Sequence, residues 1–197
     1  MSYEIVTQVE SLFSDQEQWE SFLDISNQRN LIRDAWWRKF LSEMNTSIKS
    51  VQDWGYSANN HLDYHWYINE FGTNSFCLIA ANYGNKFSLG FWAPQYKYNI
   101  KTLSELLQKE EYGVPIKAKF DRLIFIGNET TEWKFVENLV FDEAKENENL
   151  DLEKLAWYAN YKTSELVSQV IAKVNKFRED GEITRILTEL NRGTMIK

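Results

Sequence analysis

The spacing of hydrophobic positions changes along the chain. Near the N-terminus they recur every three or four residues: Trp19, Phe22 and Leu23, then Ile32, Trp36, Phe40, Met44, Ile48 and Val51. This spacing lines them along one side of a helix. It predicts a first helix opened by the capping box Ser14-Asp15-Gln16-Glu17, and a second from about Gln28 to about Asp53, stopped near Gly55. From His61 the period falls to two. Leu62, Tyr64, Trp66 and Ile68 alternate with His61, Asp63, His65 and Tyr67. Turn signals at Phe71-Gly72-Thr73-Asn74 and Asn82-Tyr83-Gly84-Asn85 separate this run from Phe76–Ala81 and Phe87–Trp92. The expectation is a three-stranded antiparallel meander.

Thr102-Leu103-Ser104-Glu105 is a second capping box, predicting a short helix to about Lys109. Ile116–Ile126 and Trp133–Phe141 read as a hairpin about Gly127-Asn128-Glu129-Thr130, with Pro94 and Pro115 placed at bends. A helical stripe then runs through Leu152, Leu155, Ala159, Leu166, Val170, Val174 and Phe177. Gly181 is read as its stop, followed by a short amphipathic helix with Ile183, Ile186, Leu187 and Leu190. Strands thus come in antiparallel groups, and helices gather at the two ends. That is the α+β pattern. The expectation is a single α+β domain over residues 1–197. Its mainly antiparallel sheet has about five strands, a meander plus a hairpin. It is packed with N-terminal helices and a long C-terminal helix.

Composition narrows the function classes. The 197 residues carry 22 Lys+Arg against 29 Asp+Glu, a formal net charge of -7. That balance gives no strong nucleic-acid signal, because such binding requires phosphate neutralisation. It suits a small ligand or a basic protein partner. A lone cysteine forms no internal disulfide, and two histidines with one cysteine do not close an ordinary zinc site. Cys77 lies in the apolar run Phe76–Ala81 and reads as a small buried hydrophobe. There is no signal-peptide pattern and no membrane-length apolar run, so the expected location is cytoplasmic. Self-association into a homo-oligomer is left open.

Four constellations bear on chemistry. His61, Asp63, His65 and Tyr67 share one side of a strand, with Trp92 nearby, and suit a small polar ligand. At strand rise the two histidines stand roughly 13 Å apart, too far to share one metal ion, so no metal and no cofactor is expected. Asp121 followed by Glu132-x-Lys134 resembles the core pattern of restriction-endonuclease-like nucleases, in which carboxylates hold Mg²⁺ and the lysine assists. Register opposes it, because a hairpin centred near Asn128 sets Asp121 opposite about Glu137. Tyr96–Lys101 interleaves basic and aromatic residues but is short, and reads as a loop before a capped helix. The acidic tract from Glu129 to Glu153 suits a basic partner.

Aromatics are the least ordinary feature: 8 Trp, 10 Tyr and 12 Phe. The neighbours Trp66-Tyr67 and Phe91-Trp92 point to opposite faces of their strands. Either both faces of the sheet are covered, or one is a binding surface. The reading is a non-enzymatic inhibitor, immunity-type or accessory protein that uses an acidic, aromatic-rimmed surface to bind a protein. Alternatives are the nuclease-like domain and a small-ligand binder at the His61/His65 face.

Overall fold

A computed structural model describes residues 15–124, 126–127, 131–141 and 150–196. The chain divides between Ala35 and Trp36 into two compact units. The described part of the first holds α1, Gln16–Asn27, and the start of α2, Arg29–Ser47. Asp15 caps α1, its side chain accepting from the backbone N–H of Gln18 at 2.9 Å, while Ser14 of the expected capping box lies outside the described residues. Trp19 and Phe22, on one helical face, stack with ring centroids 5.5 Å apart.

The second unit carries β1 (Trp54–Asn60), β2 (Asp63–Ile68), β3 (Cys77–Tyr83) and β4 (Lys86–Trp92). Next come α3 (Ile100–Gln108), α4 (Glu110–Lys117) and β5 (Trp133–Asn138). Three helices follow: α5 (Leu152–Tyr161), α6 (Thr163–Arg178) and α7 (Gly181–Thr194). The fold is α+β. Its sheet has the order β1-β2-β3-β4-β5, and every neighbouring pair is antiparallel.

The expected meander is present as β2, β3 and β4. Gly84 and Asn85 both have positive φ, 57° and 62°, which closes the β3–β4 hairpin in two residues. The other two strands differ from the sequence reading. The described residues of Ile116–Ile126 form no strand. The first of them end α4, with Pro115 inside the helix rather than at a bend. Ile116 and Phe120 are buried and stand four residues apart, so this segment satisfies the helical period as well as the alternating one. The remaining strand is β1, whose residues Trp-Gly-Tyr-Ser-Ala-Asn-Asn carry little strand propensity. It forms because β2 offers an edge: Tyr56 pairs with Trp66 and Ser57 with His65. Gly55 therefore lies inside a strand, and α2 stops at Ser47 rather than near Asp53.

Helix starts also shift to the residue that caps them. Asn99, not Thr102, caps α3, accepting from the N–H of Thr102 at 3.1 Å. The long C-terminal stripe breaks at Lys162 into α5 and α6, and the hydroxyl of Thr163 donates to the carbonyl of Ala159 at 2.9 Å across the break. Gly181 begins α7 instead of ending α6. Asp180 caps that helix, accepting from the N–H of Glu182 at 2.8 Å and pairing with Lys119. We expect Asp180→Ala to cost about 1 kcal/mol in urea denaturation, and Asp180→Asn to retain most of that stability.

One face of the sheet carries the core. Tyr64, Trp66, Leu78, Phe87, Leu89 and Phe91 are buried there against helix residues. Phe40 of α2 meets Tyr64 and Phe87 edge-on at 5.7 and 5.8 Å, and Phe177 of α6 meets Phe91 at 5.6 Å. These edge-to-face rings add to the burial of apolar area. Asn191 of α7 sits beneath, fully buried. Its amide donates to the carbonyls of Phe76 at 2.9 Å and Leu187 at 2.8 Å. Its oxygen accepts from the N–H of Phe76 at 3.0 Å and the hydroxyl of Tyr98 at 2.6 Å. This one side chain ties the C-terminal helix to the start of β3. Among the described residues, no helix is long and apolar enough to cross a membrane.

Candidate functional site

The opposite face of the sheet mixes polar and apolar side chains. Asp63, His65, Cys77, Ile79, Ala81, Ser88, Gly90 and Trp92 follow one another there by strand alternation and register. A groove of about 740 Å³ opens on this face. Its floor is made by Asp63, His65, Ile79 and Ala81, and its walls by Trp92 and Trp133. Asparagines 59, 60, 74 and 82, with His61 and Leu62, form the rim. The volume falls within the roughly 300–1,000 Å³ usual for small-molecule sites.

Four of the five residues expected at a binding face are here: His61, Asp63, His65 and Trp92. The fifth, Tyr67, lies further along β2, opposite Gly55, and its ring fills the space where a Gly55 side chain would stand. His61 belongs to the two-residue β1–β2 turn rather than to the strand, yet still reaches the groove. The sequence reading missed Trp133, Asn59, Asn60, Asn74 and Asn82. Trp133 could have been found from the register of β5, since it pairs directly with Trp92. Asn74 and Asn82 read as turn residues, Asn59 and Asn60 fall in β1, and only the fold brings the four to one space.

The floor is held by a short chain of hydrogen bonds. Nε2 of His65 lies 2.7 Å from Oδ1 of Asp63. The amide nitrogen of Asn59 donates to Oδ2 of Asp63 at 3.1 Å and lies 3.1 Å from His65 Nε2. The carboxylate contact is satisfied when His65 carries its proton on Nε2 and donates to Asp63, and the Asn59 amide then donates to Asp63 rather than to the ring. Nδ1 then accepts, facing the thiol of Cys77 at 3.7 Å. Trp92 packs edge-on to the imidazole with centroids 5.7 Å apart. Each ring orientation in the floor is thereby fixed.

This chain has the connectivity of a Cys-His-Asp triad, but its sulfur is sealed. Cys77 is fully buried, and burial together with the negative charge of Asp63 pushes its thiol far above the ordinary range. A thiol kept protonated and out of reach is a donor, not a nucleophile. Burial raises the Asp63 carboxyl, but the hydrogen bond and charge of His65 and the amide of Asn59 outweigh it. The group therefore titrates below its ordinary 3.8. Because the folded-state value is the lower one, the stability this carboxylate contributes is whole above about pH 4 and is lost as pH falls through the folded value. We expect Asp63→Asn to lose less stability than the wild type between about pH 5 and about pH 3 in urea denaturation. Equal losses would remove this account.

Trp133 owes its position to Gly90. A side-chain carbon at Gly90 would stand 3.2 Å from Cε3 of Trp133 and 3.1 Å from the carbonyl oxygen of Phe135. Strand β5 bulges opposite Gly90, with Phe135 at φ 49°. The bare backbone of β4 is what lets the indole lie down against the sheet. Trp133 also packs on Tyr83, with ring centroids 5.1 Å apart and tilted.

The nuclease-like residues lie elsewhere. Asp121 accepts from Lys176 at 2.5 Å and from Lys173 at 2.9 Å, and these bonds hold its carboxyl below the ordinary range. Lys173 also donates to Glu137 at 2.7 Å, and the backbone N–H of Asp121 donates to Glu137 at 3.2 Å. Lys134 faces the helices, is 1% exposed, and donates to Ser104 at 2.8 Å. Burial pulls its ammonium down to about 8. Asp121 is thus engaged with α6 and Glu137, Lys134 with α3, and Glu132 is half-buried just before β5. Among the described residues, no group of three or more His, Cys, Asp or Glu side chains is placed to hold a metal ion.

Apolar side chains also reach solvent away from the groove. Trp157 and Tyr161 of α5 are 46% and 61% exposed, and Tyr161 packs on both Trp157 and Trp36. Of the acidic tract, residues 129–130 and 142–149 lie outside the described residues. No protein-family model, no curated protein and no solved structure matches this chain.

Proposed function

We propose that the protein is a non-enzymatic binding protein whose site is the groove over Asp63 and His65, and whose ligand is a small polar molecule. The observation that carries this is the floor. His65, Asp63 and Asn59 lock one another in place beneath two indole walls. Pre-set polar groups among aromatic plates are what a small-ligand site requires. The thiol below is shut away, which favours holding a ligand over attacking it.

The test is ligand-observed NMR with a library of polar fragments. Hits are expected on the wild type, and the same hits should vanish in Trp133→Ala and in Asn82→Ala. Circular dichroism checks that both variants fold. Hits that persist in both folded variants, or a library without hits, would overturn the reading.

A second reading, an interaction protein with an acidic, aromatic surface, is favoured by the Trp36-Trp157-Tyr161 cluster and the net charge of -7. Exposed Trp and Tyr are common interface anchors, and the charge suits a basic partner. Its test compares proteins retained from the native host by wild type and by a Trp157→Ser/Tyr161→Ser variant. Identical retained sets would remove it.

A further inference from the structure

We propose that the groove takes a neutral, polyhydroxylated ligand, a carbohydrate of one or two rings. This rests on the groove being a ligand site at all, and it deepens that reading by naming the class.

Three features select the class. The first is charge. No lysine or arginine is among the described residues lining the groove, and its one carboxylate, Asp63, is already bound by His65 and Asn59. A phosphate or carboxylate ligand would find no lysine or arginine among these described lining residues, in a chain of net charge -7. A cationic ligand would have to compete with the imidazole for Asp63. A neutral ligand meets neither obstacle.

The second is the hydrogen-bonding inventory of the rim. Four asparagines each present a carbonyl oxygen and an amide, so each can accept and donate side by side. Part of that capacity is used within the protein. Asn59 donates to Asp63, and the carbonyl of Asn60 accepts from the N–H of Leu62 at 2.8 Å. The amide of Asn60 and the whole side chains of Asn74 and Asn82, both exposed, retain donors and acceptors together. Adjacent sugar hydroxyls, each a donor and an acceptor at fixed separation, are the ligand groups that match such planar forks.

The third is the walls. Trp92 and Trp133 are half-buried. Trp92 is set edge-on to His65, and Trp133 lies against Gly90 and Tyr83. The part of each indole that remains uncovered is a flat apolar surface. The C–H face of a pyranose ring is apolar and fits such a plate, while its hydroxyls point sideways to the rim. A nucleobase would use the plates but would leave most of a four-amide rim unpaired.

The experiment uses the full chain labelled with ¹⁵N. The indole N–H peaks of Trp92 and Trp133 are assigned with Trp92→Phe and Trp133→Phe. The protein is titrated with glucose, galactose, mannose, N-acetylglucosamine, maltose, cellobiose and lactose. Choline, adenosine and inorganic phosphate form parallel arms. At least one neutral sugar should shift both indole peaks saturably, with roughly millimolar affinity for so small a ligand. Asn82→Ala and Asn74→Ala, exposed changes that leave the fold intact, should each weaken that sugar about tenfold. If choline, adenosine or phosphate shifts the peaks and no sugar does, the ligand class is wrong and the groove stands. If nothing shifts them, both the class and the groove fail. If a sugar shifts them but both asparagine variants bind as the wild type does, the rim is not the recognition element and the class assignment falls.

Discussion

Replacing Asn191 with leucine should destabilise the protein by about 4 kcal/mol, the largest effect we expect from one substitution. The volume is nearly kept, so packing is not the cause. Hydrogen bonding is. In the wild type the amide satisfies the N–H and the carbonyl of Phe76 and the hydroxyl of Tyr98, all buried. Leucine leaves two backbone groups and one phenol without partners where water does not reach. Each unmet buried group costs about 1–3 kcal/mol. The fourth partner, the carbonyl of Leu187, lies within α7 itself and loses less. Equilibrium urea denaturation measures the loss, and the melting temperature should fall by roughly 10 °C for a chain of this size. Tyr98→Phe is the control. It removes one hydroxyl while Asn191 keeps the Phe76 bonds, so about 1 kcal/mol is expected. If Asn191→Leu costs no more than Tyr98→Phe, Asn191 is not the clamp described.

Gly90→Val should cost about 3 kcal/mol and remove one wall of the groove. A strand-interior glycine is ordinarily a weakness, so valine there would help if space allowed. Space does not allow it. Even the first carbon would press on the Trp133 ring at 3.2 Å and on the backbone oxygen of Phe135 at 3.1 Å. The branches of valine would demand more, and the ring is easier to move than the bulged strand. Trp133 should therefore leave the sheet. Its indole peak and fluorescence maximum should shift toward those of a solvated tryptophan, while Trp92 changes little. Gly90→Ala should do the same more weakly. A valine variant with wild-type stability and an unmoved Trp133 peak would mean that Gly90 does not position the wall. The variant also joins fold to site, since any ligand held between Trp92 and Trp133 should bind it less well.

Much of the fold was legible from local pattern. Period-two alternation placed β2, and apolar runs between turn signals placed β3 and β4, all within two residues; β3 and β4 are buried on both faces, which is why they read as runs. The stripe Trp36, Phe40 and Met44 located α2, and the leucine-rich stripes located α5, α6 and α7. The failures share one cause. Ile116–Phe120 fits both periods, so only its neighbours decide. Strand β1 has almost no pattern of its own and exists because β2 has an open edge. Capping boxes were found near the right places, but a box says only that a helix starts nearby. Asn99 and Asp180 won because their side chains reach the orphan N–H groups.

The candidate site divides in the same way. Sequence alone determined that both histidines and Asp63 fall close together, that Cys77 lies in the next strand, and that aromatics must face both sides of the sheet. Those statements follow from alternation, which is a property of a single strand. Tertiary structure decided the rest. It set Cys77 beneath His65 and sealed it, it paired Trp133 of β5 with Trp92 of β4, and it brought four asparagines, from β1, the β2–β3 loop and β3, to one groove. It also separated Asp121 from the lysine two residues after Glu132, giving each its own partners. Pairing, closure and burial are relations between distant segments. A one-dimensional pattern carries the period of each segment but not the partner it will meet.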